Sequence, residues 1–149
     1  MLWERKVLGY FVWYPEADSP WITSTIGDDT EQQEAQMYEC YPGSDFVGSI
    51  NDDDGIKEFK STVYKKDAEG GWELFAQEGY ENPKIHSLPS VNADYAAWSF
   101  KVPSQNGIYR AELSVTDMFN KTETINKYFK TADVSAPKIT ITGPTGDSA

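Results

Sequence analysis

The chain has 149 residues, 39% of them hydrophobic and 14% aromatic, which is enough for one packed domain with some length left over. Its formal net charge of −11 argues against binding to nucleic-acid phosphates and against anionic membrane surfaces, and it attracts divalent cations. Cys40 is the single cysteine, so an intrachain disulfide is excluded, and no apolar run is long enough to span a membrane.

Thr, Val, Ile, Tyr, Phe and Trp are plentiful and helix-favouring runs are scarce, so the composition leans to strands. Residues 6–14 (K-V-L-G-Y-F-V-W-Y) read as an aromatic strand, and 15–20 (P-E-A-D-S-P) as a linker. Residues 21–26 read as a second strand, closed by Gly27-Asp28-Asp29. The polar run 30–36 suits a helical turn or a mobile loop, and 37–41 a short strand. After a turn at 42–45, residues 46–50 read as a strand with Gly48 at a bulge or a close approach. Asn51-Asp52-Asp53-Asp54-Gly55 reads as a tight acidic turn, and 56–64 as a strand with Phe59, Ser61 and Val63 on one face. A D-A-E-G-G turn leads into a short strand at 72–75. Residues 76–93 lack periodicity and read as loop-rich.

The clearest pattern comes near the end. Residues 96–102 put Ala96, Trp98, Phe100 and Val102 on one face. In 107–120, Tyr109, Ala111, Leu113 and Val115 alternate with Arg110, Glu112, Ser114 and Thr116, the period of a half-buried antiparallel strand. Residues 117–120 form a turn, 122–129 resume the strand composition, and the two strands make a hairpin. The sum is seven or eight strands with frequent turn signals. That predicts an all-β, antiparallel two-sheet sandwich.

The two ends of the chain echo each other. Tyr10-Phe11, then Asp18-Ser19-Pro20 and Ile22, match Tyr128-Phe129, then Asp133, Ser135, Pro137 and Ile139. This reads as a repeat boundary seen twice. Residues 1–18 become the end strand and linker of a preceding repeat, or an extra strand; 19–132 become the sandwich; 133–149 become a linker and the first strand of a following repeat. The first residues, M-L-W-E-R-K-V-L, lack the apolar core of a signal peptide, which says nothing about export if a longer polypeptide precedes them.

V-G-S-I-N-D-D-D-G-I, then W-S-F-K-V, then G-I-Y-R-A-E-L-S-V-T-D and D-V-S-A-P-K-I-T-I resemble, in order and spacing, the tandem immunoglobulin-like (Ig-like) modules of bacterial surface proteins. Phe119 stands where those repeats usually carry Gly. The resemblance implies an Ig-like sandwich in a multidomain, exported, extracellular or cell-surface polypeptide. Its partners are then neighbouring Ig-like modules, and its role is spacing, presentation or adhesion.

Three groups of residues could carry chemistry. Asp52, Asp53, Asp54, Asp117 and Asp133 offer carboxylates to a Ca²⁺ ion, with solvated turns as the plain alternative. Three consecutive aspartates cannot all face one ion. Trp72 could stack on a sugar ring in a glycan- or protein-binding module, or simply cap a sheet. His86 is the only histidine and Cys40 the only thiol, and no nucleophile, metalloprotease or phosphate-loop motif accompanies them. The expectation is a protein that is not an enzyme, without a cofactor unless Ca²⁺ binds.

Overall fold

The computed structural model describes residues 19–131, and the elements assigned above to 1–18 and 132–149 lie outside it. Among the described residues there are eight strands and one 3₁₀ turn at Glu34–Gln36. The strands are β1 (Trp21–Thr23), β2 (Glu39–Cys40), β3 (Asp45–Lys66), β4 (Trp72–Leu74), β5 (Lys84–Ile85), β6 (Ala93–Lys101), β7 (Ile108–Asp117) and β8 (Thr122–Thr131).

β3 is the hub. The sequence predicts two strands parted by an acidic turn at 51–55, but β3 runs unbroken for 22 residues through Asn51-Asp52-Asp53-Asp54-Gly55. Asp and Gly favour turns, and Asp52 to Gly55 have no cross-strand register partner: they form the irregular segment between pairing that ends at Asn51 and pairing that resumes at Ile56. The first half of β3 pairs antiparallel with β1 (Ile22↔Ile50) and with β6 (Phe46↔Phe100, Asn51↔Tyr95). The second half pairs antiparallel with β7 (Phe59↔Val115, Val63↔Ala111), β4 and β5. Between the halves the register slips, from Asn51 to Ile56 against β6 and from Ile56 to Glu58 against β7. A slip of this kind bends a strand and redirects it. Gly55, at φ +96, sits in the slip, where an added Cβ would lie 3.1 Å from Asn92 Cα.

β7 and β8 form the predicted hairpin, in register from Thr116↔Thr122 to Ile108↔Lys130. β8 then pairs with β2 in parallel (Cys40↔Thr131). All eight strands are therefore linked into one mixed sheet, where a purely antiparallel pair of sheets was expected. The parallel pair arises because β2 approaches β8 across a long connection instead of a tight turn.

The core follows the alternation of β7. Tyr109, Ala111, Leu113 and Val115 are fully buried, together with Phe46, Ile50, Phe59 and Phe129. Phe46 stacks on Phe100 (4.9 Å between ring centroids), and Phe59 on Trp98 (5.1 Å). Gly48 is a close approach, not a bulge: it pairs regularly with Trp98, and a Cβ there would fall 2.3 Å from Thr23 O and from Trp98 Cζ2. The expected strand at 21–26 is shorter, because Ser24 Oγ accepts from Ile26 N–H and turns the chain.

The aperiodic run 76–92 is tied down by side chains. Asn82 accepts from Val63 N–H (2.9 Å) and donates to Val63 O (2.8 Å) and Phe75 O (2.7 Å). Tyr80 donates its hydroxyl proton to Lys101 O at 2.6 Å. One amide side chain thus completes the edge of β3 where a strand would otherwise be needed.

Candidate metal centre

The bend of β3 and the turn after β7 meet. Met118 N–H donates to Gly55 O at 3.1 Å, and Lys57 Nζ donates to Asn120 Oδ1 at 2.7 Å. Where they meet, Asp52, Asp54 and Asp117 each bring a carboxylate oxygen to within 4.8 Å of the others. The local bend explains the selection: Asp54 N–H bonds the Asp52 carboxylate, Asp52 is buried and Asp54 half-buried, and Asp53 between them is exposed.

Each of two carboxylates is half used. Asp52 Oδ2 accepts from Asp54 N–H (2.8 Å). Asp117 Oδ1 accepts from Phe119 N–H (2.9 Å) and Lys121 N–H (2.8 Å), which holds the hairpin turn and lets Asn120 adopt φ 65. Their other oxygens, Asp52 Oδ1 and Asp117 Oδ2, are buried with no hydrogen-bond partner, on side chains only 2% and 0% exposed. Burial holds the Asp52 carboxyl above its usual range; the Asp54 N–H works against this, and the charges of Asp117, Asp54 and Asp53 add to it. The ion pairs among the described residues, Lys66–Glu31, Lys101–Asp45 and Lys127–Asp29, leave Asp52 and Asp117 without a cationic partner.

Of the five aspartates proposed from sequence, the structure brings together Asp52, Asp54 and Asp117. Asp53 is exposed and outside the cluster, and Asp133 lies outside the described residues. Three carboxylates with no imidazole or thiolate form a hard, oxygen-only donor set, suited to Ca²⁺ or Mg²⁺ and unsuited to the softer transition metals.

Trp72 is half-buried. Its ring lies 6.0 Å from Tyr128, with the Arg110 guanidinium 5.4 Å and Lys66 Nζ 5.8 Å from its centroid. Arg110 also covers Tyr64 at 4.4 Å. Trp72 is therefore already engaged by cations of its own chain. Trp21 and Tyr95 are more open, at 50% and 56% exposed. Both pair with Asn51, which sets Trp21, Asn51 and Tyr95 in one row across three strands. Only the strand register reveals that row, so the linear sequence carried no signal for it.

The nucleophile candidates sit in packing positions. Cys40 is buried, and burial pushes its thiol up to about 12. His86 Nε2 lies 2.9 Å from Ser61 Oγ, but Ser61 is buried and the imidazole packs on Phe59 at 4.8 Å. Burial, helped by the charge of Lys84, lowers the His86 pKa to about 4. A base that weak is poorly suited to activating a hydroxyl at neutral pH.

No protein-family model and no curated protein sequence matches this chain. Among solved structures, it is similar to the soluble domain of PmoD from Methylocystis sp. ATCC 49242 (Rockwell), at 9% identity and a TM-score of 0.36, over 65% of this chain and 81% of that one. A likeness this distant carries no argument about fold or function.

Proposed function

We propose that this chain is a non-catalytic, Ig-like β-sandwich module that acts as a spacer in a multidomain, exported surface protein, presenting other domains or aiding adhesion. The observation that carries the reading is the placement of the two ends of the described fold. Trp21 pairs with Asn51 beside the acidic bend, whereas Thr131 lies beside Gly107 at the opposite end of β7, a 10-residue strand. That separation is about 30 Å. Ends at opposite poles suit links joined in series, with neighbouring Ig-like modules as the partners.

Two further features support the Ig-like part. An Ig-type sandwich groups its first, second, fourth and fifth strands in one layer and its third, sixth and seventh in the other. Counting the halves of β3 as second and third strands, β1, the first half and β6 group as the first, second and fifth, and the second half, β7 and β8 as the third, sixth and seventh. β4 and β5 pair with the second half and leave the fourth-strand place in the first layer unfilled among the described residues. Tyr109, at the start of the penultimate strand, donates its hydroxyl proton to Gln105 O at 2.5 Å, four residues upstream. This is the tyrosine-corner arrangement of such folds.

Small-angle scattering on two copies joined head to tail tests the spacer reading. The maximum dimension of the tandem should be about double that of one copy. A tandem no longer than a single copy would overturn it.

A glycan-binding role is the second reading, favoured by the exposed rings of Trp21 and Tyr95 flanking the half-buried Asn51 beside a shallow groove of about 510 Å³ that includes Ser49 and Ser99. Stacking rings around a polar amide suit a sugar face. Titration with candidate glycans should then change tryptophan fluorescence in the parent and not in Trp21→Ala; a spacer shows no change in either.

A further inference from the structure

We propose that Asp52, Asp54 and Asp117 bind one calcium ion, which pins the bend of β3 to the β7–β8 turn. This goes beyond the spacer reading and does not depend on it. Clustered acidity alone is common on a protein with a net charge of −11, so the inference rests on burial and satisfaction. Asp52 Oδ1 and Asp117 Oδ2 sit on side chains at least 98% removed from water, in a cluster of three carboxylates, and neither has a hydrogen-bond partner. Leaving a buried carboxylate oxygen unmatched is costly, and setting two such charges side by side adds repulsion. A divalent cation between them removes both costs.

The same carboxylates are prepared for a ligand on their other side. Asp52 Oδ2 and Asp117 Oδ1 are fixed by three backbone N–H groups, so the two free oxygens are held in position by the main chain of β3 and of the turn. Two oxygens on one Ca²⁺ can be up to twice the metal–oxygen distance of about 2.4 Å apart, which accommodates the 4.8 Å limit of this cluster. Mg²⁺ binds at about 2.1 Å in strict octahedral geometry and suits this irregular corner less well. The competing account is a proton shared among the carboxylates.

The experiment uses the full 149-residue chain, stripped with EDTA, then melted with millimolar CaCl₂, with MgCl₂ or without either. Calcium should raise Tm by about 5 °C or more. Calorimetric titration should show one saturable calcium site per chain. Asp52→Asn keeps an oxygen for the Asp54 N–H, so it should fold; it should weaken calcium about tenfold or more. Asp54→Asn should weaken it as well, and it stands in if the first variant is poorly expressed. Asp53→Asn, on the exposed side, should leave the response intact. Superimposable melts with a flat titration would overturn the proposal in favour of the shared proton. Equal loss in Asp53→Asn and Asp52→Asn would overturn it in favour of diffuse surface acidity. An equal or larger shift with magnesium would overturn the choice of calcium.

Discussion

The two ends of the β7–β8 hairpin solve the same problem in opposite ways. At the far end, buried polar atoms find neutral partners: Tyr109 donates to Gln105 O, Thr131 Oγ1 accepts from Gly107 N–H at 2.8 Å, and it donates to Gln105 O at 3.1 Å. At the near end, Asp52 and Asp117 are buried as far and each keeps an unmatched oxygen. The far end is complete by itself, whereas the near end has a polar demand that the described residues do not meet. Equal burial can therefore stabilise one pole and load the other, depending on whether each donor and acceptor is matched.

The comparison breaks most visibly at Tyr109. Tyr109→Ala should cost about 4 kcal/mol, by emptying the space between Phe75 and Phe129 and removing one of the two hydrogen bonds to Gln105 O. Tyr109→Phe should cost only about 1 kcal/mol, and urea denaturation of the pair separates ring from hydroxyl. Next comes a control in which crowding replaces polarity. Gly48→Ala should cost about 3 kcal/mol or more in the same assay, since its Cβ meets the Thr23 backbone and the Trp98 ring.

The Ser61–His86 contact tests the boundary between the two regimes, because it is a matched neutral pair that acid can charge. The folded pKa of about 4 lies below the free value of 6.5, so the unfolded chain takes up the proton first. The stability of the neutral pair is complete above pH 6.5 and is lost as pH falls toward 4. Going from pH 7.5 to 5 should cost the parent about 1 to 2 kcal/mol more than His86→Phe, read from urea midpoints.

The smallest expected effects are the sharpest, because they differ in sign. In EDTA, Asp52→Asn should stabilise by about 1 kcal/mol through lost repulsion, whereas Thr131→Val should destabilise by about 1 kcal/mol through lost hydrogen bonds. Two changes of the same sign would dissolve the distinction between the poles.

Much of the hairpin was legible in the sequence. The alternation from Tyr109 to Val115 is reported by period alone, and those four side chains are all buried. The continuity of β3 was not legible, because N-D-D-D-G has turn composition and the pairing that joins the two halves lies on either side of it, ending at Asn51 and resuming at Ile56. Why Asp53 separates from its neighbours has no linear signal either: the inward set of Asp52 depends on its bond to Asp54 N–H and on the packing of the bend. Asp117 could be named from the turn it caps, but its meeting with Asp52 depends on a register that no local pattern encodes. The ties made by Asn82 escaped notice because they run from side chain to backbone and leave no periodic trace.

β3 also bears on how the chain is made. It pairs with five other strands, and its partners β6 and β7 follow it in sequence. As the chain emerges from the ribosome, β3 exists before the strands that will cover it. Contacts so distant in sequence form slowly, and an uncovered apolar strand is a template for aggregation. Asp52, Asp53 and Asp54 interrupt that strand between the apolar segments around Phe46–Ile50 and Phe59–Val63. Until β6 and β7 arrive, they act as gatekeepers, a charged break that keeps nascent chains from pairing with one another.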